Sequence, residues 1–353
     1  MMARGCCASA MPPRVLLVAA LSFVPGALAA TPECGAGCKR FVFNDATATH
    51  GARCLDGSPP GLYFRPGKGS DVSKFLVYSH GGSWCYDLVT GDASGTWNCA
   101  VRASLYEGSS KYNPETGPPR KNMNRGIMSS DCRENPHFCN WSVVYFIYCD
   151  GSSFTGDREQ PHVVSGSDYK GITHIWSRGA RNLHALWDRM IEPMKYNTTH
   201  TGMNLSAAHS IIVTGASAGG FMAFYHCDRI RALVPSAIPL KCVPDAGFWP
   251  DFPAASGNPT WHQSMAKMTA LHNSTGGFDT SCVAAHPEDP SYCAHPPNVL
   301  PHIKTPIFIS TSHQDSDAIS VSACSDGTGD GYTHPPVPPM TWAAADRCAR
   351  TYT

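Results

Sequence analysis

The sequence predicts an α/β chain built on a mostly parallel sheet with flanking helices. Three observations predict it. Short runs rich in β-branched and aromatic residues end in turn signals, as strands buried on both faces do. A long stretch of helical periodicity separates two of these runs. A third run passes straight into a Gly-rich turn followed by helix-compatible sequence.

The predicted strands are residues 75–78 (FLVY), 143–148 (VVYFIY), 211–214 (IIVT) and 307–310 (IFIS). Between the second and third, over residues 171–194, Ile172, Trp176, Leu183, Leu186, Trp187, Met190 and Ile191 recur at three- and four-residue steps. That spacing predicts an amphipathic helix. Residues 91–121 and 243–300 are rich in Gly, Pro, Ser, Asn and Cys with little periodicity, and read as irregular insertions forming lids or substrate walls. No internal repeat or interdomain linker is visible, so one domain is expected.

With 353 residues, 42% hydrophobic and 15% charged, the chain can bury a large core. Its formal net charge is zero and its basic residues are scattered, which sets aside nucleic acid and anionic membranes as partners. Arg4 and Arg14 flank the start of an apolar run (VLLVAALSFV, residues 15–24) that leads to Ala27-Leu28-Ala29. This is the pattern of a secretory signal peptide, predicted over residues 1–29, with a mature chain over 30–353. The run is too short to span a bilayer.

Sixteen cysteines are present, and fourteen remain once Cys6 and Cys7 leave with the signal, enough for seven disulfides in an oxidising compartment. Cys85 and Cys99 are expected to pair. The mature chain has no C-x-x-C spacing, so neither metal nor cofactor is expected. Asn140, Asn197, Asn204 and Asn273 each open an N-x-S/T glycosylation site.

The chemistry centres on IIVTGASAGG, residues 211–220. Gly215, Ser217 and Gly219 fit G-x-S-x-G, the strand–turn–helix elbow that presents a nucleophilic serine in α/β-hydrolases. The backbone N–H of Ala218 is then one oxyanion donor. The loop after the first predicted strand, HGGSWC from His80, offers the amides of Gly82 and Ser83 as the others. An acid should follow the serine, and Asp315 and Asp317 end the last predicted strand. His313 precedes the acid; His334 is the one histidine after it and is the candidate base. Trp84 and Trp97 could stack on sugar rings, with core packing at least an equal reading for both.

With those residues in place the chain resembles the pectin acetylesterase family, which also contains the Notum-type carboxylesterases. The resemblance rests on CLDGSPPGLYF at Cys54, HGGSWC at His80, NWSVVYFIYCDGSSFTGD at Asn140, TGASAGG at Thr214, HCDRIRALVP at His226 and KCVPDAGFW at Lys241. YCDGSSFTGD looks like the plant branch. The resemblance implies an α/β-hydrolase-like fold and a metal-free serine esterase with Ser217 as nucleophile, Asp315 as triad acid, and Gly82, Ser83 and Ala218 around the oxyanion. Two departures stand out. Ser83 replaces a family glycine, and the family's histidine lies in a C-terminal segment beyond TWAAADRCARTYT. The expectation is therefore a chain without that segment, in which His334 lies away from Ser217 and activity is weak.

The expected function is a secreted, monomeric esterase that removes acetyl groups from an extracellular polysaccharide such as pectin. The rivals are a non-catalytic glycan-binding homologue and a Notum-like esterase acting on a protein-linked acyl group.

Overall fold

In the computed structural model the described residues are 37–88, 98–115, 117, 124–165, 169–251, 253, 260–312, 315 and 318. Six strands, β1 (Lys39–Val42), β2 (Gly61–Arg65), β3 (Lys74–Ser79), β4 (Ser142–Phe146), β7 (Ser210–Ala216) and β8 (Leu240–Asp245), form one sheet in the order β1-β2-β4-β3-β7-β8. Two short strands, β5 (His162–Val163) and β6 (His174–Ile175), pair separately. β3 runs parallel to both β4 and β7, and β7 parallel to β8, while β1 and β2 add an antiparallel edge.

Alternation along these strands sorts their side chains. Phe75, Val77, Val144, Phe146, Ile211 and Val213 enter one apolar cluster with the helices α3 (Gly179–Ile191) and α4 (Ala218–Leu233). Leu76, Tyr78, Val143 and Tyr145 enter a second cluster on the other face, with Met128 and Cys149. Coverage of both faces explains why β3 and β4 read as continuous apolar runs.

The helical period was right for half its span. Leu183, Leu186, Trp187 and Met190 line the buried face of α3. Residues 171–178, however, are not helical. Their backbone bonds go to other partners: Val164 N–H to Thr173 C=O at 2.9 Å and Trp176 N–H to Leu55 C=O at 3.0 Å. Trp176 is flanked by the guanidinium groups of Arg53 and Arg178. Tertiary hydrogen bonding overrides periodicity there.

The stretch 307–310 joins the sheet beside β8 without becoming a full strand. It pairs in parallel through bridges Cys242↔Ile307 and Asp245↔Ser310. Pro244 and Pro306 lack the N–H that a regular ladder would need, which suits a sheet edge. The region expected to be irregular also carries helices: α5 (Thr260–His272), α6 (Thr280–Ala285) and α7 (Pro296–Val299). Shorter helices α1 (Ala46–Thr49) and α2 (Cys99–Ala103) follow β1 and the stretch after β3.

The expected Cys85–Cys99 disulfide is present, with Cys54–Cys149, Cys132–Cys139, Cys227–Cys242 and Cys282–Cys293. Cys38 is disulfide-bonded as well. Cys54–Cys149 spans 95 residues, and in the chain-entropy account a loop of that length stabilises by about 4–5 kcal/mol. Among the described residues no helix is long and apolar enough to cross a membrane.

Candidate active site

Ser217 stands where β7 passes into α4, with φ 55° and ψ −123°. L-residues avoid that backbone region, at a cost of about 1–3 kcal/mol. The surroundings hold it there. Ser217 N–H donates to the Asp245 carbonyl at the end of β8, at 3.0 Å, and the Ser217 carbonyl accepts from Phe221 N–H at 3.0 Å. Close packing supports both bonds. A methyl group on Gly219 would lie 2.1 Å from the Ser79 carbonyl oxygen, and one on Gly81 would lie 2.8 Å from the Ser217 Cβ. The small residues of TGASAGG and HGG are thus one requirement: the elbow and the loop after β3 pack backbone to backbone.

That loop carries Gly82 at φ 129° and Ser83 at φ 57°. Among the described residues nothing accepts from the N–H groups of Gly82 and Ser83, whereas their carbonyls are held from outside. Arg102 Nη1 donates to the Gly82 carbonyl at 2.7 Å, and the Tyr148 hydroxyl donates to the Ser83 carbonyl at 2.7 Å. His80 Nδ1 contacts the Gly81 carbonyl. In a trans peptide the C=O of one residue and the N–H of the next point in opposite directions. Pinning the Gly81 and Gly82 carbonyls therefore aims the Gly82 and Ser83 amides the other way. Free backbone donors in a fixed direction are what a developing oxyanion requires.

Arg102 was not singled out from sequence. It is fully buried, stacks on Tyr148 at 5.2 Å, and its Nε donates to the Glu107 carbonyl at 3.1 Å. Its helix α2 begins at Cys99, is capped by the Asn98 side chain, and is tied by Cys85–Cys99 to the residue after Trp84. His272 donates to the Cys85 carbonyl at 2.8 Å from behind, and burial lowers its pKa to about 4, so it is neutral at ordinary pH. Burial pushes the Tyr148 phenol well up, keeping it a donor.

The family landmark around Asp150 also serves this site. Asp150 is fully buried and accepts from the N–H groups of Ser152 (3.1 Å) and Phe154 (2.9 Å). The resulting turn aims the Ser153 hydroxyl at the Ala218 carbonyl, 2.7 Å away, and Trp84 Nε1 donates to that hydroxyl at 2.7 Å. Trp84 is therefore no sugar platform. It is 3% exposed and packs with Phe221, Trp249 and Trp261, ring centroids 4.8–5.6 Å away.

Asp315 follows the segment bridged to β8, at the carboxyl ends of the parallel strands where Ser217 also lies. It is half-buried, and its Oδ1 accepts from Ala318 N–H at 3.0 Å. Among the described residues no side chain hydrogen-bonds to the Ser217 hydroxyl. Trp97, His313, Asp317 and His334 lie outside the described residues. Of the buried histidines, His226 on α4 faces the Ser153 carbonyl at 3.2 Å, and burial lowers its pKa well below the usual value.

Comparisons with known proteins agree with this geometry. The chain is 34% identical over 270 residues to pectin acetylesterase 5 of Arabidopsis thaliana, covering 76% of this chain and 56% of the relative. It is 31% identical over 283 residues to Arabidopsis pectin acetylesterase 7, covering 80% and 64%. The chain thus spans less than two thirds of the length of these relatives. A crystal structure of the Wnt deacylase Notum from Drosophila superposes with a TM-score of 0.63 at 23% identity, covering 89% of this chain and 79% of that one. At that identity the likeness speaks for the α/β-hydrolase-like fold. The pectinacetylesterase family model matches residues 38–333, most of the described body and every landmark around Ser217, and on that match the chain belongs to the pectin acetylesterase family.

Proposed function

We propose that this chain is a secreted serine carboxylesterase that removes acetyl groups from an extracellular polysaccharide such as pectin. The observation that carries the reading is Ser217 at φ 55° on a strand–helix turn, facing a loop whose Gly82 and Ser83 amides have no acceptor among the described residues and whose carbonyls are pinned. The Ser217 hydroxyl attacks the acetyl carbonyl and a histidine takes its proton. Asp315 orients that imidazole and stabilises its charge, while the amides of Gly82, Ser83 and Ala218 hold the oxyanion. Water then releases acetate. Within this sequence His334 is the histidine that follows Asp315, and it is assigned the base role for testing.

The rings of Trp84, Phe221, Trp249 and Trp261 pack together beside the elbow helix. Secretion is supported by the basic, apolar N-terminus, by the disulfides, and by exposed Asn197, Asn204 and Asn273 in glycosylation sequences. The test is acetate release from acetylated pectin by the purified protein. Ser217→Ala is expected to abolish it with the thermal transition unchanged, and unchanged turnover would remove Ser217 as nucleophile. Loss of activity in His334→Ala identifies the base, whereas full activity assigns that role elsewhere.

A further inference from the structure

Asp251, His262 and His295 come from three separate segments, yet one ligand atom from each lies within 4.8 Å of the other two. Asp251 Oδ2 is 2.9 Å from His262 Nδ1 and 3.5 Å from His295 Nε2. Ligand atoms about 2.0 Å from a tetrahedral zinc ion stand roughly 3.3 Å apart, so these two separations bracket the requirement. On its far side His262 presents Nε2 to Asp289 Oδ2 at 3.2 Å. A ligating histidine whose other nitrogen donates to a carboxylate is the usual outer-shell arrangement around zinc. Asp289 is itself held, its Oδ1 accepting from Ser291 N–H at 3.1 Å.

A second observation points independently to a ligand. His295 is 0% exposed, and among the described residues neither ring nitrogen has a hydrogen-bond partner. A buried imidazole left so has given up its hydrogen bonds to water with nothing in exchange. Its ring stacks on His262 (centroids 5.3 Å, interplanar angle 12°), and Trp261 packs edge-on against it at 5.9 Å. The disulfide Cys282–Cys293 braces the chain two residues before His295.

We infer that Asp251, His262 and His295 form a binding site for a divalent transition metal of the zinc class, with Asp289 as the carboxylate behind His262. Two neutral imidazoles and two carboxylates against a doubly charged cation leave the cluster without net charge. Two histidines and carboxylate oxygen suit zinc better than calcium or magnesium, which take oxygen sets. The ion ties the segment after β8, the start of α5 and the turn before α7 into one wall. That wall reaches the oxyanion loop through Trp261 and Trp84, whose rings are 5.5 Å apart. The other two groupings differ. The sulfurs of Cys85 and Cys99 beside His272 are bonded to each other. The trio His50, His184 and Asp188 has no counterpart to His295: neither of its histidines is a fully buried imidazole without a hydrogen-bond partner.

The test uses the full purified chain, stripped with chelator and titrated with zinc. One equivalent should bind and raise the thermal transition, and cobalt(II) in its place should give the intense visible absorption of a tetrahedral site. His262→Gln should abolish binding, Asp289→Asn should weaken it about 10- to 100-fold, and His184→Gln should leave it intact. Absence of stoichiometric zinc on the unaltered protein overturns the inference, as does loss in His184→Gln with retention in His262→Gln. If His262→Gln does not fold, the cobalt spectrum and the Asp289→Asn affinity decide.

Discussion

The two sides of the notch above Ser217 are built by different means. On one side, the amide of Ala218 is placed by covalent neighbours: a strained serine, a helix start and glycines that let backbones touch. On the other, the amides of Gly82 and Ser83 are aimed through the carbonyls before them, by His80 within the loop and by Arg102 from α2, while Tyr148 from just beyond β4 anchors the loop at the Ser83 carbonyl. One side is set largely within ten consecutive residues, with the Asp245 carbonyl and the Ser79 backbone as its outside supports. The other exists only when a disulfide, a buried guanidinium and a phenol are assembled around it. Local geometry resists distant substitution, and assembled geometry does not.

The largest effect should come from the local side. Ser217→Gly removes the proposed nucleophile and also relieves the φ of 55°. Acetate release should fall by at least about 10³-fold, while unfolding free energy rises by about 1 kcal/mol. A thermal transition that drops instead would show that this φ carries no strain.

Next comes the assembled side. Arg102→Met keeps the length of the side chain and removes the donors to the Gly82 carbonyl. We expect kcat to fall about 10²-fold, the scale of losing one oxyanion donor, with KM little changed. Arg102→Lys should recover part of it. If kcat is normal and only stability falls, Arg102 is packing and the two sides do not differ as argued.

The pH dependence of stability probes the same assembly. His272 supports Cys85 from behind and, by burial, has its pKa lowered to about 4, with Arg102, Arg158 and His162 facing it. The unfolded chain binds a proton near pH 6.5 that the folded one refuses until about pH 4. Stability is therefore complete above about pH 6.5 and is lost as pH falls through that window, by roughly 3 kcal/mol at 1.36 kcal/mol per unit. Denaturant unfolding from pH 7 to 4 should show this slope, reduced in His272→Gln; equal slopes would assign the acid sensitivity elsewhere.

The smallest effect separates the two sides most sharply. Ser83→Gly restores the residue the family resemblance leads one to expect and relieves a φ of 57°. It should stabilise by about 0.4–1 kcal/mol and leave turnover intact, because the donor is the backbone amide. A marked loss of turnover would give the Ser83 hydroxyl a role of its own.

Much of the site was legible because its parts are contiguous. G-x-S-x-G after an apolar strand states its own geometry, and IIVT, FLVY and VVYF announce strands by being apolar on both faces. Strands β1, β2 and β8 escaped notice because Lys39, Arg40, Arg65, Lys241 and Pro244 break their runs of apolar residues. The helix read over residues 171–194 was too long because periodicity does not register that Leu55 and Val164 bind the backbone of its first third. Between sugar platform and core, Trp84 stayed open in the sequence, since nothing there says where Trp249 and Trp261 will stand.

By itself, then, the sequence determined the alternation of strand and helix, the serine elbow, the Gly-rich loop and the Cys85–Cys99 pairing. These rest on interactions between residues close along the chain, where spacing is geometry. The tertiary structure alone decided that Arg102 and Tyr148 hold the oxyanion loop, that Trp84 is core, and that His295 meets Asp251 across 44 positions. Contacts between remote segments depend on how the whole sheet stacks and which side chains share its buried space, and no period or motif along a single chain records that.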